Sequence, residues 1–299
     1  MGIQIRELTP GFAGEVSGVD LTRPLDAAEV AAIDDGMDRL AVLVFRGQDI
    51  TDEQQLAFSQ NFGQLEMPDK KSNITKDNER RLRADMADVS NLDRDHKPHA
   101  RSDRQRLFNL GNRLWHSDSS FRAVPAKYSL LSGRICPAEG GDTEFADMRQ
   151  AYDALDAKTK ALVEDIVCEH SLLYSRGALG FDDDLTPEER EAFRPVRQSL
   201  VRVHPVSGRK SLYLSAHAGK IVGWPTPEAR IFLRELNEHA TQRQFVYAHK
   251  WKSGDLVMWD NRQTMHRARP FDDVNERRDM RRTTIAGEAM TAEQEQVAA

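Results

Sequence analysis

His116 and Asp118, one residue apart in Leu-Trp-His-Ser-Asp-Ser-Ser-Phe, are the side chains best suited to chemistry in this sequence. On an extended segment residues i and i+2 point to the same side, so one imidazole and one carboxylate grip a single cation together. A third ligand stands at His266, in Trp-Asp-Asn-Arg-Gln-Thr-Met-His-Arg. Two histidines and one carboxylate on one face of a metal leave the opposite face open, the arrangement of non-haem Fe(II) oxygenases. Alone, a His-x-Asp is a common accident of sequence. Its surroundings decide.

Arg277-Arg278-Asp279-Met280-Arg281-Arg282 follows His266 closely. If this run is a strand, Arg278, Met280 and Arg282 share one face, and Arg277, Asp279 and Arg281 share the other. Two guanidiniums on the ligand side suit two separate carboxylates, because arginine offers permanently charged, two-pronged recognition. A solvated basic stretch is the ordinary reading of such a run; its closeness to a candidate ligand favours binding. Gly140-Gly141-Asp142-Thr143 is either a plain turn or a turn that presents a hydroxyl to a carboxylate.

These residues need elements to hold them. Val30, Ile33, Met37 and Leu40 recur at helical spacing and predict a helix over residues 27–40, leading into a buried strand at Val42–Phe45. Thr51-Asp52-Glu53-Gln54 fits a capping box that opens a second helix towards Phe62. Strands are expected at 128–135, at 200–204 with 211–215 as a hairpin, and at 244–249 and 255–259. Helices are expected at 148–155, 159–169 and 227–240, with a short one opened by Thr186-Pro187. Residues 68–106 are crowded with charge and lack periodicity, so a lid is expected there. The domain is expected to be a single unit over 1–286, with a flexible tail at 287–299. Many short strands with inserted helices predict a mainly β fold, a double-stranded β-helix or jelly roll of the cupin-like kind.

Composition limits the function. The chain has 299 residues and a net charge of −6, with no basic excess to neutralise phosphates, so nucleic acid is not an expected partner. Its longest fully apolar run, Leu40–Phe45, is far short of a membrane span. The start, Met-Gly-Ile-Gln-Ile-Arg-Glu, has no signal-peptide core, and Arg6 stands where myristoylation needs Ser or Thr. A cytoplasmic location is expected. Cys136 and Cys168 lack Cys-x-x-Cys spacing; two reduced core thiols are the favoured reading, with a disulfide between them the other.

Taken in order, Leu-Trp-His-Ser-Asp-Ser-Ser-Phe, Gly-Gly-Asp-Thr, Trp-Asp-Asn-Arg with His266, and Arg-Arg-x-Met-x-Arg resemble the Fe(II)/2-oxoglutarate dioxygenases related to taurine dioxygenase. Val-Leu-Val-Phe-Arg-Gly-Gln, Phe-Ala-Asp-Met-Arg-x-Ala-Tyr-Asp-Ala-Leu and Gly-Asp-Leu-Val-Met-Trp-Asp-Asn-Arg resemble the 2,4-dichlorophenoxyacetate dioxygenase branch. The resemblance runs from about Val42 to Thr284 and is weakest over the 68–106 loop. It implies His116, Asp118 and His266 as iron ligands, and Thr143 with Arg278 at the distal carboxylate of 2-oxoglutarate. For the substrate it implies Arg282 at the acid group, with Lys71, His217, His204 and Ser117 nearby; Lys70 competes with Lys71.

The cofactors it implies are Fe(II), 2-oxoglutarate and dioxygen, with ascorbate as a stimulant, and it implies a homo-oligomer. The implied reaction hydroxylates the carbon between the ether oxygen and the carboxylate of an aryloxyacetate, giving a phenol, glyoxylate, succinate and carbon dioxide. Related halogenases carry a small residue at the carboxylate position; Asp118 is present here, so hydroxylation is expected. Two other readings remain open: the same chemistry on a sulfonate or sulfate ester, and a non-catalytic binding protein of the same fold.

Overall fold

The computed structural model describes residues 2–67, 80–181 and 185–295. A hairpin, β1 (Gln4–Thr9) and β2 (Ala13–Ser17), precedes helix α1 (Ala27–Leu40), strand β3 (Val42–Phe45) and helix α2 (Asp52–Gln60). Both helices begin with a capping box, Asp26 with Glu29 and Thr51 with Gln54, which satisfies backbone N–H groups that the helix itself leaves orphaned. Strand β4 (Ala87–Asp88) and helix α3 (Arg104–Asn109) come next, then β5 (Tyr128–Ile135) and β6 (Thr143–Asp147). Helices α4 (Met148–Asp153) and α5 (Ala157–Val163), strand β7 (Val167–His170), and helices α6 (Leu172–Gly177) and α7 (Pro187–Ala192) follow. The order then runs β8 (Val196–Ser199), β9 (Val201–Val203), β10 (Lys210–Leu212), β11 (Ala218–Ile221) and α8 (Thr226–Ala240). Strands β12 (Val246–His249), β13 (Leu256–Asp260), β14 (Thr264–Ala268) and β15 (Asp279–Thr284) complete it.

Among the described residues a large sheet runs β1-β2-β3-β13-β5-β15-β4, and a smaller one runs β12-β6-β14. The period-two alternation of the strands explains how they stack. Leu256 and Met258 of β13, Leu43 and Phe45 of β3 and Leu130 of β5 pack with α1 and α2 on the outer face. Their neighbours Val257, Trp259, Val42, Val44 and Leu131 turn inward and meet Phe145 of the smaller sheet. Helix α8 covers the other side, with Leu233 and Leu236 packed near Ala146 and Met265. The fold is the expected jelly roll with helices outside.

One local expectation changes, and two other segments are tied to the rest of the fold by side chains. The helix expected over 159–169 stops at Val163, and Val167–His170 forms β7 instead, paired with β8 and β11. Cys168 and His170 are buried while Val167 and Glu169 are half-buried, so a strand period takes over where the helical one fades. The described part of the expected lid, residues 80–106, is tied down: Arg81 reaches Asp88 at 2.9 Å and Asp279 at 2.7 Å, and the Asn91 side chain bonds the Asp273 and Glu276 carbonyls. After Ala286, where a flexible tail is expected, Gln294 bonds the backbone of Arg197 and Thr291 that of Ser199. Both cysteines are free.

Candidate active site

His116 and His266 meet through their backbones. His116 N–H donates to the His266 carbonyl at 3.0 Å, and His266 N–H returns a bond to the His116 carbonyl at 2.8 Å. This antiparallel bridge adds the His116 segment to the edge of β14, and directly opposed residues put their side chains on one face. The two rings lie 4.2 Å apart between centroids. Asp118 follows on the same face, its Oδ1 3.9 Å from His116 Nε2 and its Oδ2 3.8 Å from His266 Nε2. All three residues are buried, and their donor atoms lie within 4.8 Å of one another.

The donor set fits a divalent cation. His116 Nδ1–H donates to the Leu114 carbonyl at 2.8 Å, which leaves the Nε2 lone pair free. Burial lowers the pKa of His116, and burial together with the neighbouring His116 lowers that of His266 well below the histidine range. Both imidazoles are therefore neutral at pH 7, the form that ligates metal. Burial opposes charge on Asp118 as well, yet the Arg282 guanidinium, helped by the Ser129 hydrogen bond, outweighs it, and the carboxyl is held at about 2. Behind the carboxylate stands a relay. Ser129 Oγ–H donates to Asp118 Oδ2 at 2.7 Å, and Asn261 Nδ2 donates to Ser129 Oγ at 2.9 Å. Asn261 Oδ1 accepts from the Asp118 N–H at 3.1 Å and from Trp259 Nε1 at 3.0 Å.

The arginines alternate as the strand period requires. Arg282 of β15 donates through Nη1 to Asp118 Oδ1, whereas Arg281 and Asp279 face outward to Asp52 and Arg81. Arg278 lies buried just before β15, with long bonds of 3.3 Å to the Val89 carbonyl and 3.4 Å to the Gly141 carbonyl, and Nε unpartnered. Among the described residues no carboxylate pairs with it, and burial lowers its pKa to about 10. An uncompensated buried cation is costly, so the site is built for an anion from outside. Thr143, buried at the start of β6, has its hydroxyl held by Trp251 Nε1 at 2.9 Å.

The softer candidates divide. His217 is at the site, its ring 5.9 Å from that of His116 and 5.1 Å from Phe121. Ser117 is buried but turned away, donating to the Asn261 carbonyl at 2.8 Å. His204 sits in a separate network: its Nδ1 accepts from the Ser207 N–H at 3.2 Å, and its Nε2 lies 3.4 Å from Asp260 Oδ2 and 2.9 Å from Arg262 Nη2. Those contacts engage both of its ring nitrogens. Lys71 and its rival Lys70 lie outside the described residues. A cavity of about 730 Å³, lined by Glu66, Phe108, Phe121, Leu172 and Arg282 among others, opens beside the site. The triad does not itself line it; Arg282 does, and joins it to Asp118.

Residues 4–284 match the family described as Taurine catabolism dioxygenase TauD, TfdA family. The chain belongs to this dioxygenase family. It is 46% identical over 293 residues to the alpha-ketoglutarate-dependent 2,4-dichlorophenoxyacetate dioxygenase of Cupriavidus pinatubonensis, covering 97% of this chain and 100% of that protein. It is 37% identical to the (S)-phenoxypropionate/alpha-ketoglutarate-dioxygenase of Sphingobium herbicidovorans, over 95% of each chain. Among solved structures, AAD-2 in complex with Mn(II) and N-oxalylglycine superposes with a TM-score of 0.94 at 60% identity, covering 98% of this chain and 100% of that one.

Sequence reasoning missed what this TauD, TfdA family member uses to hold Asp118. Ser129 was open to detection. It is a fully buried polar residue on the strand face it shares with Leu131, and such a group needs a partner. Asn261 stands inside Trp-Asp-Asn-Arg with nothing local to set it apart. Its bonds to Ser129 and to the Asp118 backbone bridge more than a hundred residues, and no local pattern announces them.

Proposed function

We propose that this protein is an Fe(II)- and 2-oxoglutarate-dependent dioxygenase that hydroxylates the carbon beside the ether oxygen of an aryloxyacetate-type acid. The observation that carries this reading is the pairing of the buried His116–Asp118–His266 triad with two differently placed guanidiniums, Arg278 and Arg282. The names of the relatives point to the same substrate class. His116, Asp118 and His266 would hold the iron. Arg278, with the Thr143 hydroxyl nearby, takes the distal carboxylate of 2-oxoglutarate; N-oxalylglycine carries the same pair of terminal acid groups. Bound iron supplies the oxidation, in which 2-oxoglutarate leaves as succinate and carbon dioxide and one oxygen atom enters a substrate C–H bond.

The protein's own part is orientation. Arg282 binds the acid group of the substrate and so aims the adjacent carbon at the triad. Phe108, Phe121 and Leu172 offer the apolar wall that an aryl ring needs. A hydroxyl placed on the ether carbon makes a hemiacetal, which collapses to a phenol and glyoxylate. Lys71 or Lys70 as a second contact to the acid, a homo-oligomeric assembly and a cytoplasmic location belong to the same proposal. Light scattering tests the assembly.

The experiment is a substrate panel of aryloxyacetates, both enantiomers of aryloxypropionates, alkyl sulfates and sulfonates. Each is assayed for succinate and phenol with Fe(II), 2-oxoglutarate and ascorbate. Phenol release that depends on 2-oxoglutarate, strongest with an aryloxy acid, is expected. Succinate formation stimulated only by the sulfur compounds would move the substrate class, and no iron-dependent oxygen uptake with any of them would make the protein a binder.

A further inference from the structure

Arg176, at the end of α6, is a buried guanidinium that the proposed reaction leaves unused. Among the described residues no carboxylate pairs with it, its Nε has no partner, and burial alone lowers its pKa to about 10. The cation therefore persists at neutral pH. It lies 4.3 Å from the centroid of the Phe108 ring, and its other flank rests on Gly111, where a Cβ would come within 2.1 Å of Nη1. Only glycine at 111 lets the head group sit against the backbone in this way.

Its hydrogen bonds lead towards the site. Arg176 Nη1 donates to Ser175 Oγ at 3.1 Å, and Ser175 Oγ lies 2.9 Å from His217 Nδ1. The serine has one proton to give. It goes either to His217 Nδ1 or to the Leu172 carbonyl at 3.2 Å. In the second case His217 carries its proton on Nδ1, with the positive end of that N–H aimed back at the guanidinium. Charge behind the serine disfavours that arrangement and favours a lone pair on Nδ1. The far side of the imidazole, by His116 and Phe121, then carries the N–H.

We propose that Arg176 is a positioning residue that acts through Ser175 to fix His217 as the Nε2–H tautomer, a neutral donor for an acceptor oxygen of the substrate. The identity of that oxygen, ether or carboxylate, rests on the aryloxy-acid reading; the tautomer does not. The test begins with metal-free protein carrying isotope-labelled histidine, in which long-range proton–nitrogen NMR reads the protonated nitrogen of His217, assigned with His217→Gln.

The parent is expected to show Nε2–H. Gly111→Ala displaces the guanidinium without deleting it, and Ser175→Ala cuts the relay; both should lose the fixed tautomer while still unfolding in one cooperative transition. Arg176→Lys retains the charge and should keep Nε2–H. In turnover, Gly111→Ala and Ser175→Ala should raise the KM for the acid about two- to tenfold, the loss of one neutral hydrogen bond, with the KM for 2-oxoglutarate unchanged. An Nδ1–H parent, or an Nε2–H form that survives both variants, overturns the lock. A tautomer that is fixed and then lost as expected, with no aryloxy acid turned over, upholds the lock and removes the substrate reading alone.

Discussion

Asn261 offers the sharpest test of how Asp118 is held. Its side chain is fully buried and makes three bonds around the carboxylate: it accepts from the Asp118 N–H and from Trp259 Nε1, and it donates to Ser129. Asn261→Ala strands two buried donors at once. Each unsatisfied buried group costs about 1–3 kcal/mol, so a stability loss of about 2–6 kcal/mol is expected. Ser129→Ala is gentler on the fold but nearer the chemistry, because it deletes a charge-assisted bond to Asp118 itself. Loss of groups that orient a ligand typically weakens metal binding about 10- to 100-fold. The assay is calorimetric titration of metal-free protein with Mn(II), run beside thermal melting. Asn261→Ala should lose both stability and affinity, and Ser129→Ala should lose affinity with a smaller drop in melting temperature. Parent-like Mn(II) binding in both variants, whatever their melting temperatures, would refute the reasoning. The relay would then serve packing alone.

Alanine at His116, Asp118 or His266 should abolish turnover and Mn(II) binding while the far-ultraviolet spectrum is kept; near-normal activity in any one removes that residue from the triad. Arg278→Gln should raise the 2-oxoglutarate requirement about ten- to a hundredfold, the loss of a charge-assisted bond, and Arg278→Lys should restore it only in part. Arg281 is engaged by Asp52 and Asp279, so an unchanged 2-oxoglutarate dependence would need a different anion site altogether. His170 is buried with neither ring nitrogen partnered among the described residues, and burial lowers its pKa from 6.5 to about 3. Below about pH 6.5 the unfolded chain takes up a proton that the folded one refuses, so this residue removes about 2 kcal/mol of stability between pH 7 and pH 5. His170→Phe keeps a ring against Tyr213 and should flatten that interval in urea denaturation; an unaltered slope would place the titration elsewhere.

How far the sequence could be read depended on whether the deciding interaction was local. Helices α1 and α2 were legible to the residue at their starts, α1 from the helical spacing of its apolar residues and α2 because Thr51 and Gln54 lie three positions apart. Strand β5 and the two faces of β15 were legible for the same reason, since alternation is set within one strand. The triad needed more than periodicity. His116 and His266 meet in a backbone bridge that only the ordered motifs anticipated. His204 is the opposite case. A histidine on a short hairpin strand looks the same whether it meets a substrate or an Asp260–Arg262 pair, and those partners come from a strand far along the chain. In β7 two periods competed over a few residues, and pairing with β8 and β11 decided between them.

Under the proposed function Arg282 has two tasks, and its geometry allows both. A guanidinium carries five donors in a fixed fork, and only one, on Nη1, is spent on Asp118 Oδ1. The other carboxylate oxygen is held by Ser129, so each Asp118 oxygen has one protein donor and keeps lone pairs for a cation. Among the described residues Nε has no partner, and the side chain, about a quarter exposed, lines the cavity beside Phe121. A substrate acid arriving from the cavity therefore meets free donors without displacing the bond to Asp118. It also neutralises the charge that holds the Asp118 carboxyl at about 2. With less of its density drawn to Arg282, the carboxylate becomes the better ligand for a divalent cation. Binding of the acid and the hold on the metal are then coupled through one side chain, and a neutral ester, which brings no charge to Arg282, forfeits the coupling together with the contact.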